Sequence, residues 1–148
     1  MLSECDTICE TMSAPLSDRE YQALARFRHA VRVFQRFSED AARDAGITPA
    51  HHQLMLAVRG HPGGVPIIGD LADALQLKHH SVVGLIDRAE AAGLVVRESD
   101  PDDHRRQRIT LTADGMALLE QLSSTHRDEL RRFRAEMVDV LDELAADR

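Results

Sequence analysis

Between Ile68 and Thr112 the spacing of apolar residues switches from helical to extended within forty-five positions, and few folds accommodate such a switch. Leu71, Ala72 and Leu75 form the inner stripe of a two-turn helix. Gln76 to Lys78 reads as a tight turn, and Val82, Leu85, Ile86 and Ala89 form the stripe of a second helix. Gly93 supplies the left-handed residue that ends it. Val95-Val96 and Ile109 to Leu111 then read as two short strands, with turn chemistry at Asp100-Pro101-Asp102-Asp103 between them.

Long amphipathic helices bracket this centre. Ser17 with Glu20 three residues on has the form of a capping box, and Tyr21, Leu24, Phe27, Val31, Phe34 and Ala41 recur at helical spacing as far as Gly46. Thr48-Pro49 is a cap followed by a proline at the first helical position, opening a helix through Leu54, Met55, Leu56 and Val58 to Gly60. His61 to Pro66 is a breaker-rich loop with a short strand at its end. Thr112 caps a final region in which Met116, Leu119, Leu122, Leu130, Phe133, Met137, Val140, Leu141 and Leu144 keep helical spacing almost to the end. The central module is too small to cover both terminal stripes, so they are expected to pack on each other or on a second chain, as a homodimer.

The chain has 148 residues, 43% of them apolar and 29% charged, which suits one folded domain and excludes a disordered or collagen-like chain. Four Phe, one Tyr and no Trp leave too few aromatics for stacking on single-stranded nucleic acid. The net charge of −7 argues against a generally basic nucleic-acid binder. The deficit is uneven: residues 78 to 108 hold six Lys/Arg (Lys78, Arg88, Arg97, Arg105, Arg106, Arg108) against six Asp/Glu, so any DNA-facing surface must be local. No apolar run reaches membrane-spanning length and no secretory signal opens the chain, so a cytoplasmic location without membrane attachment is expected. Phosphate-binding glycine loops, nucleophile elbows and metal-hydrolase spacings are missing, so neither an enzyme nor a cofactor is expected.

A helix, a three-residue turn and a second helix is the arrangement that lays one helix in the major groove of DNA. The hairpin that follows carries three arginines at and just past its tip, and could reach phosphates or the minor groove beside that helix. Together they describe a mainly α fold with a small β-hairpin wing, a winged helix-turn-helix flanked by long N- and C-terminal helices. Over about residues 17 to 145 the chain resembles the MarR family of bacterial winged-helix regulators. LADAL at Leu71 to Leu75, VVGLIDRAEAAGLVVR from Val82 to Arg97, and DPDDHRRQRITLTADG from Asp100 to Gly115 carry the resemblance, with the wing signature Asp-x-Arg at Asp103 and Arg105.

The resemblance implies a tail over residues 1–16 and one domain over 17–148, with dimerisation helices at 17–46 and 113–148 around a winged-helix core at 48–112. The dimer would be built from the first helix and the last two. The implied partner is double-stranded DNA, bound as a pseudo-palindrome by a ligand-responsive repressor. The expected DNA-facing set is Lys78, His79, His80, Ser81, Val83, Arg97, His104, Arg105 and Arg106, with Asp103 bracing the wing. A small aromatic or amphipathic ligand would be bound where Phe27, Val31, His51, Leu54, Met55 and Ile86 converge. Lys78 stands where a small capping hydroxyl is common, and Gly84 where a longer polar side chain would reach base edges.

Other readings of the same residues remain open. The acidic total keeps alive a winged helix used for protein contacts. Eight histidines allow a zinc-responsive regulator, although no HxxxH or CxxC spacing supports one and adjacent histidines on a helix point about 100° apart. Cys5 and Cys9 allow a redox-responsive one, but Glu4, Asp6 and Glu10 beside them oppose thiolate formation.

Overall fold

The computed structural model describes residues 15–146; Cys5 and Cys9 lie outside them. Seven elements follow in order: α1 (Asp18–Asp44), α2 (Pro49–Arg59), α3 (Ile68–Leu75), α4 (His79–Ala91), β1 (Val95–Ser99), β2 (Gln107–Leu111) and α5 (Ala113–Ala146). The predicted mainly helical fold with a two-stranded wing is what forms. Two compact units divide the chain, one made of residues up to Phe34 with those from Arg131 onward, the other of Gln35–Leu130.

Local chemistry starts the helices where the sequence places them. The Glu20 carboxylate accepts the Ser17 N–H at 2.7 Å while Ser17 Oγ accepts the Glu20 N–H at 3.2 Å, a complete capping box. Thr48 Oγ1 accepts from His51 N at 3.1 Å, and Thr112 Oγ1 accepts from Gly115 N at 2.9 Å. The Asp70 carboxylate accepts the Ile67 N–H at 3.0 Å, holding the start of α3.

In the Gln35–Leu130 unit, α2, α3, α4 and the hairpin close over one core of Leu54, Met55, Val58, Leu71, Val82, Leu85, Ile86, Ala89, Leu94, Val95, Ile109 and Leu119. β1 and β2 pair antiparallel with Val95 opposite Leu111, Arg97 opposite Ile109 and Ser99 opposite Gln107. The short strand expected after the loop is present as a bridge from Ile67 to Arg108, supported by Ile109 N–H donating to the Pro66 carbonyl at 2.9 Å. Also in this unit, the His126 ring lies tilted against His52 with ring centroids 4.9 Å apart and meets Phe37 edge to face at 5.4 Å.

In the other unit, the N-terminal half of α1 runs against the C-terminal half of α5. Phe34 and Phe133 rings lie 5.3 Å apart, and Arg26 pairs with Glu143 at 2.8 Å. The small residues Ala23 and Ala30 are buried here, whereas Tyr21, Leu24, Val33, Val138 and Leu141 are exposed. One chain therefore covers only part of the apolar stripe read from the sequence.

α5 is a single helix of 34 residues, where the resemblance implies two. The reason is local. No glycine or proline interrupts Met116 to Ala146, and the hydroxyls of Ser123, Ser124 and Thr125 donate back to the carbonyls of Leu119 and Gln121 within the same helix rather than breaking it.

Candidate nucleic-acid interface

Tight geometry between α3 and α4 presents the first turn of α4. Gln76 takes the left-handed conformation at φ 52°, steadied by its Nε2 donating to the Asp73 carbonyl at 2.7 Å. Leu77 N–H then returns to the Ala72 carbonyl at 3.0 Å, closing the turn. Lys78 occupies the cap of α4, and its side chain makes no capping hydrogen bond to the leading N–H groups of α4. Lys78, His79 and His80 are exposed and Ser81 is half-buried. A free cation beside uncapped N–H groups at the positive end of a helix suits a phosphate.

The wing tip is held by acids. Asp100 N–H donates to the Arg106 carbonyl at 3.0 Å, and Asp102 N–H to the Asp100 carboxylate at 2.9 Å. Asp103 Oδ1 accepts both the main-chain N–H of Arg105 at 3.1 Å and its Nε at 3.2 Å, while Arg106 Nε stands 3.7 Å from Oδ2. Asp103 thus links both arginines to one turn. Arg105 keeps 92% of its side chain exposed, and Arg106 keeps 60%.

These two regions meet. A cleft of about 270 Å³ is lined by Ile67, Ile68, Gly69 and His79 on one side and by His104, Arg105, Arg106 and Gln107 on the other. No carboxylate is among the lining residues. The sequence-predicted residues His79, His104, Arg105 and Arg106 therefore line one concavity, with Lys78, His80 and Ser81 on the adjoining turn.

Two members of the expected DNA-facing set lie elsewhere. Arg97 is turned inward: its Nη2 donates to the Val83 carbonyl at 3.3 Å and to the Asp87 carboxylate, and only 22% of its side chain is exposed. Val83 is half-buried, with its carbonyl engaged by that guanidinium. The acids Asp87 and Glu90, which sequence reasoning passed over, take up Arg97 because they stand three apart on α4 facing β1. A charged pair spaced for one helix face, just before a strand arginine, was the available signal.

The expected ligand set is divided between the two units. Leu54, Met55 and Ile86 have no exposed surface and pack into the core, where neighbouring side chains occupy their faces. Phe27 and Val31 are half-buried in the unit formed by the chain ends. His51 is buried at the start of α2, and its protonation is disfavoured first by burial and then by the Arg88 charge. Burial, with His126 as a second cause, likewise lowers the pKa of His52. His126 itself donates Nδ1–H to the Leu122 carbonyl at 2.7 Å and has Ser38 Oγ 2.9 Å from Nε2. Among the described residues, no group of three or more His, Cys, Asp or Glu is placed to hold a metal ion, and no helix is long and apolar enough to cross a membrane.

Comparison with known proteins agrees with this geometry. A sequence profile of the MarR family matches residues 45–106, spanning the helix-turn-helix and the wing tip. The uncharacterized HTH-type transcriptional regulator YcgE of Bacillus subtilis is 33% identical over 129 residues, covering 84% of this chain and 82% of the relative. Among solved structures, AbsC of Streptomyces coelicolor, a MarR family transcriptional regulator, aligns with a TM-score of 0.72 at 23% identity, covering 91% of this chain and 93% of that one. The DNA complex of S. aureus MepR aligns with a TM-score of 0.60 at 24% identity, covering 82% and 98%. These two share the fold, and the family is one of regulators, not enzymes. With a family profile over residues 45–106 and a relative 33% identical over most of both chains, the chain belongs to the MarR family of winged-helix transcriptional regulators.

Proposed function

We propose that this protein is a homodimeric repressor that binds a pseudo-palindromic DNA duplex and releases it in response to a small ligand. The observation that carries the DNA reading is the shared concavity of α4 and the wing, where His79, His104, Arg105 and Arg106 meet beside exposed Lys78 with no carboxylate among the cleft's lining residues. The charge of the whole chain is negative, so this patch must supply the phosphate attraction locally. Lys78, His79, His80 and Ser81 at the head of α4 face the major groove, and Arg105 and Arg106 lie along the adjacent backbone or minor groove.

Two copies are favoured by the exposed Tyr21, Leu24, Val33, Val138 and Leu141, an apolar surface that a second chain would bury. Paired α4 helices then read half-sites about one helical turn, roughly 34 to 36 Å, apart. A small aromatic or amphipathic effector acts by preferring a spacing that does not fit DNA, with a coupling of about 1 to 3 kcal/mol.

Selection of bound fragments from random duplexes, followed by titration across salt concentrations, tests the DNA reading. A steep fall of affinity with salt supports it; indifference to every duplex at low ionic strength, with capture of a protein partner, favours an adaptor instead. Sedimentation equilibrium tests the dimer, and a screen for compounds that release the selected duplex tests the effector.

A further inference from the structure

Arg97 sits two residues into β1, yet its bonds go to α4. Its Nη2 takes the Val83 carbonyl and the Asp87 carboxylate, and its main-chain N–H donates to Glu90 Oε2 at 3.1 Å. Val83, Asp87 and Glu90 are spaced four and three apart, so they form one face of α4. Arg97 Nε is buried without a hydrogen-bond partner, a cost accepted to keep the guanidinium in this pose. Opposite Arg97 in the ladder is Ile109, which has no exposed surface and belongs to the core.

We infer that Arg97 is a positioning residue, a clasp that fixes the angle between α4 and the wing so that the groove-facing turn and the wing arginines engage one duplex together. This rests on the DNA-binding reading above. The hairpin reaches its tip through only two strands, and β2 is tied elsewhere by the Ile67 bridge. Without the Arg97 bonds, what joins β1 to α4 among the described residues is the Ala92-Gly93-Leu94 turn and apolar packing. A wing free to swing would pay an ordering cost each time its arginines docked, lowering affinity without removing any phosphate contact.

Asp87→Asn separates the clasp from direct DNA contact because the two give opposite signs. If Arg97 touched phosphate itself, losing the Asp87 charge would free it and tighten binding. As a clasp, Asp87→Asn and Arg97→Met each weaken duplex binding about tenfold with the salt slope unchanged, the double variant is no weaker than either single one, and Asp87→Glu restores most of the affinity. Tighter binding by Asp87→Asn, a salt slope lowered by one in Arg97→Met, or no change in either overturns the inference. Should Arg97→Met fail to fold, Asp87→Asn with its Asp87→Glu rescue carries the test. Amide exchange in the free protein supplies a readout independent of DNA: residues 95–111 should exchange faster in Asp87→Asn than in wild type, and equal rates would overturn the clasp. Wild type that binds no duplex while the exchange difference persists would overturn the DNA reading alone.

Discussion

One carboxylate oxygen of Asp103 accepts both the main-chain N–H and the Nε of Arg105, at 3.1 and 3.2 Å, so the residue that shapes the wing tip also aims its most exposed cation. An ion pair this open to solvent adds little to stability. Arg105→Ala should leave the melting temperature unchanged, weaken binding to all duplexes alike and lower the salt slope by about one. Asp103→Ala should weaken binding while leaving that slope as in wild type, because every cation is retained and only its aim is lost. Fluorescence anisotropy across a salt series checks both.

Burial lowers the pKa values of His51 and His52 from the ordinary 6.5. The unfolded chain then binds more protons than the folded one just below that value, so stability is full above about pH 6.5 and declines as pH falls through the interval down to the lowered folded values. Thermal melts from pH 7.5 to 5 should follow this course. In His52→Gln the decline should be shallower, whatever the variant's stability at pH 7.5.

Gly115, in the first turn of α5, packs against the main chain of Leu94, between α4 and β1. A Cβ there would lie 2.2 Å from the Leu94 carbonyl oxygen, a main-chain atom further held by accepting the Thr112 N–H at 3.0 Å. Neither partner is a flexible side chain. Gly115→Ala should cost about 1 to 3 kcal/mol by overpacking, measurable as a lower urea midpoint with an unchanged m-value.

Leu54 is fully enclosed by the core, so Leu54→Ala should destabilise by about 2 to 5 kcal/mol. An effector that releases DNA from wild type should release it from the folded variant at a similar concentration, since Leu54 is fully enclosed in the core. A shift of more than tenfold in that concentration would return Leu54 to a ligand-binding role.

The chain's boundaries could be read from the sequence because they depend on groups a few residues apart. Ser17 with Glu20, Thr48 with His51 and Thr112 with Gly115 each join across three positions, and Gly93 at φ 75° needs only its own missing Cβ. The wing tip was equally legible, since Asp100 to Arg106 bond among themselves. Arg97 and Arg105 mark the limit of such reading. They are the same residue type in one hairpin, eight positions apart, yet one bonds to α4 and the other faces solvent.

That difference depends on which helix face lies across from each arginine, and three-dimensional packing alone places Val83, Asp87 and Glu90 there. The pairing of Ser38 with His126, 88 residues apart, and the enclosure of Leu54, Met55 and Ile86 have the same origin. Periodicity in a sequence assigns each side chain to a face. What occupies the space opposite that face, whether core, ion partner or a second chain, is set by long-range packing, and that packing determines whether an arginine is available to DNA.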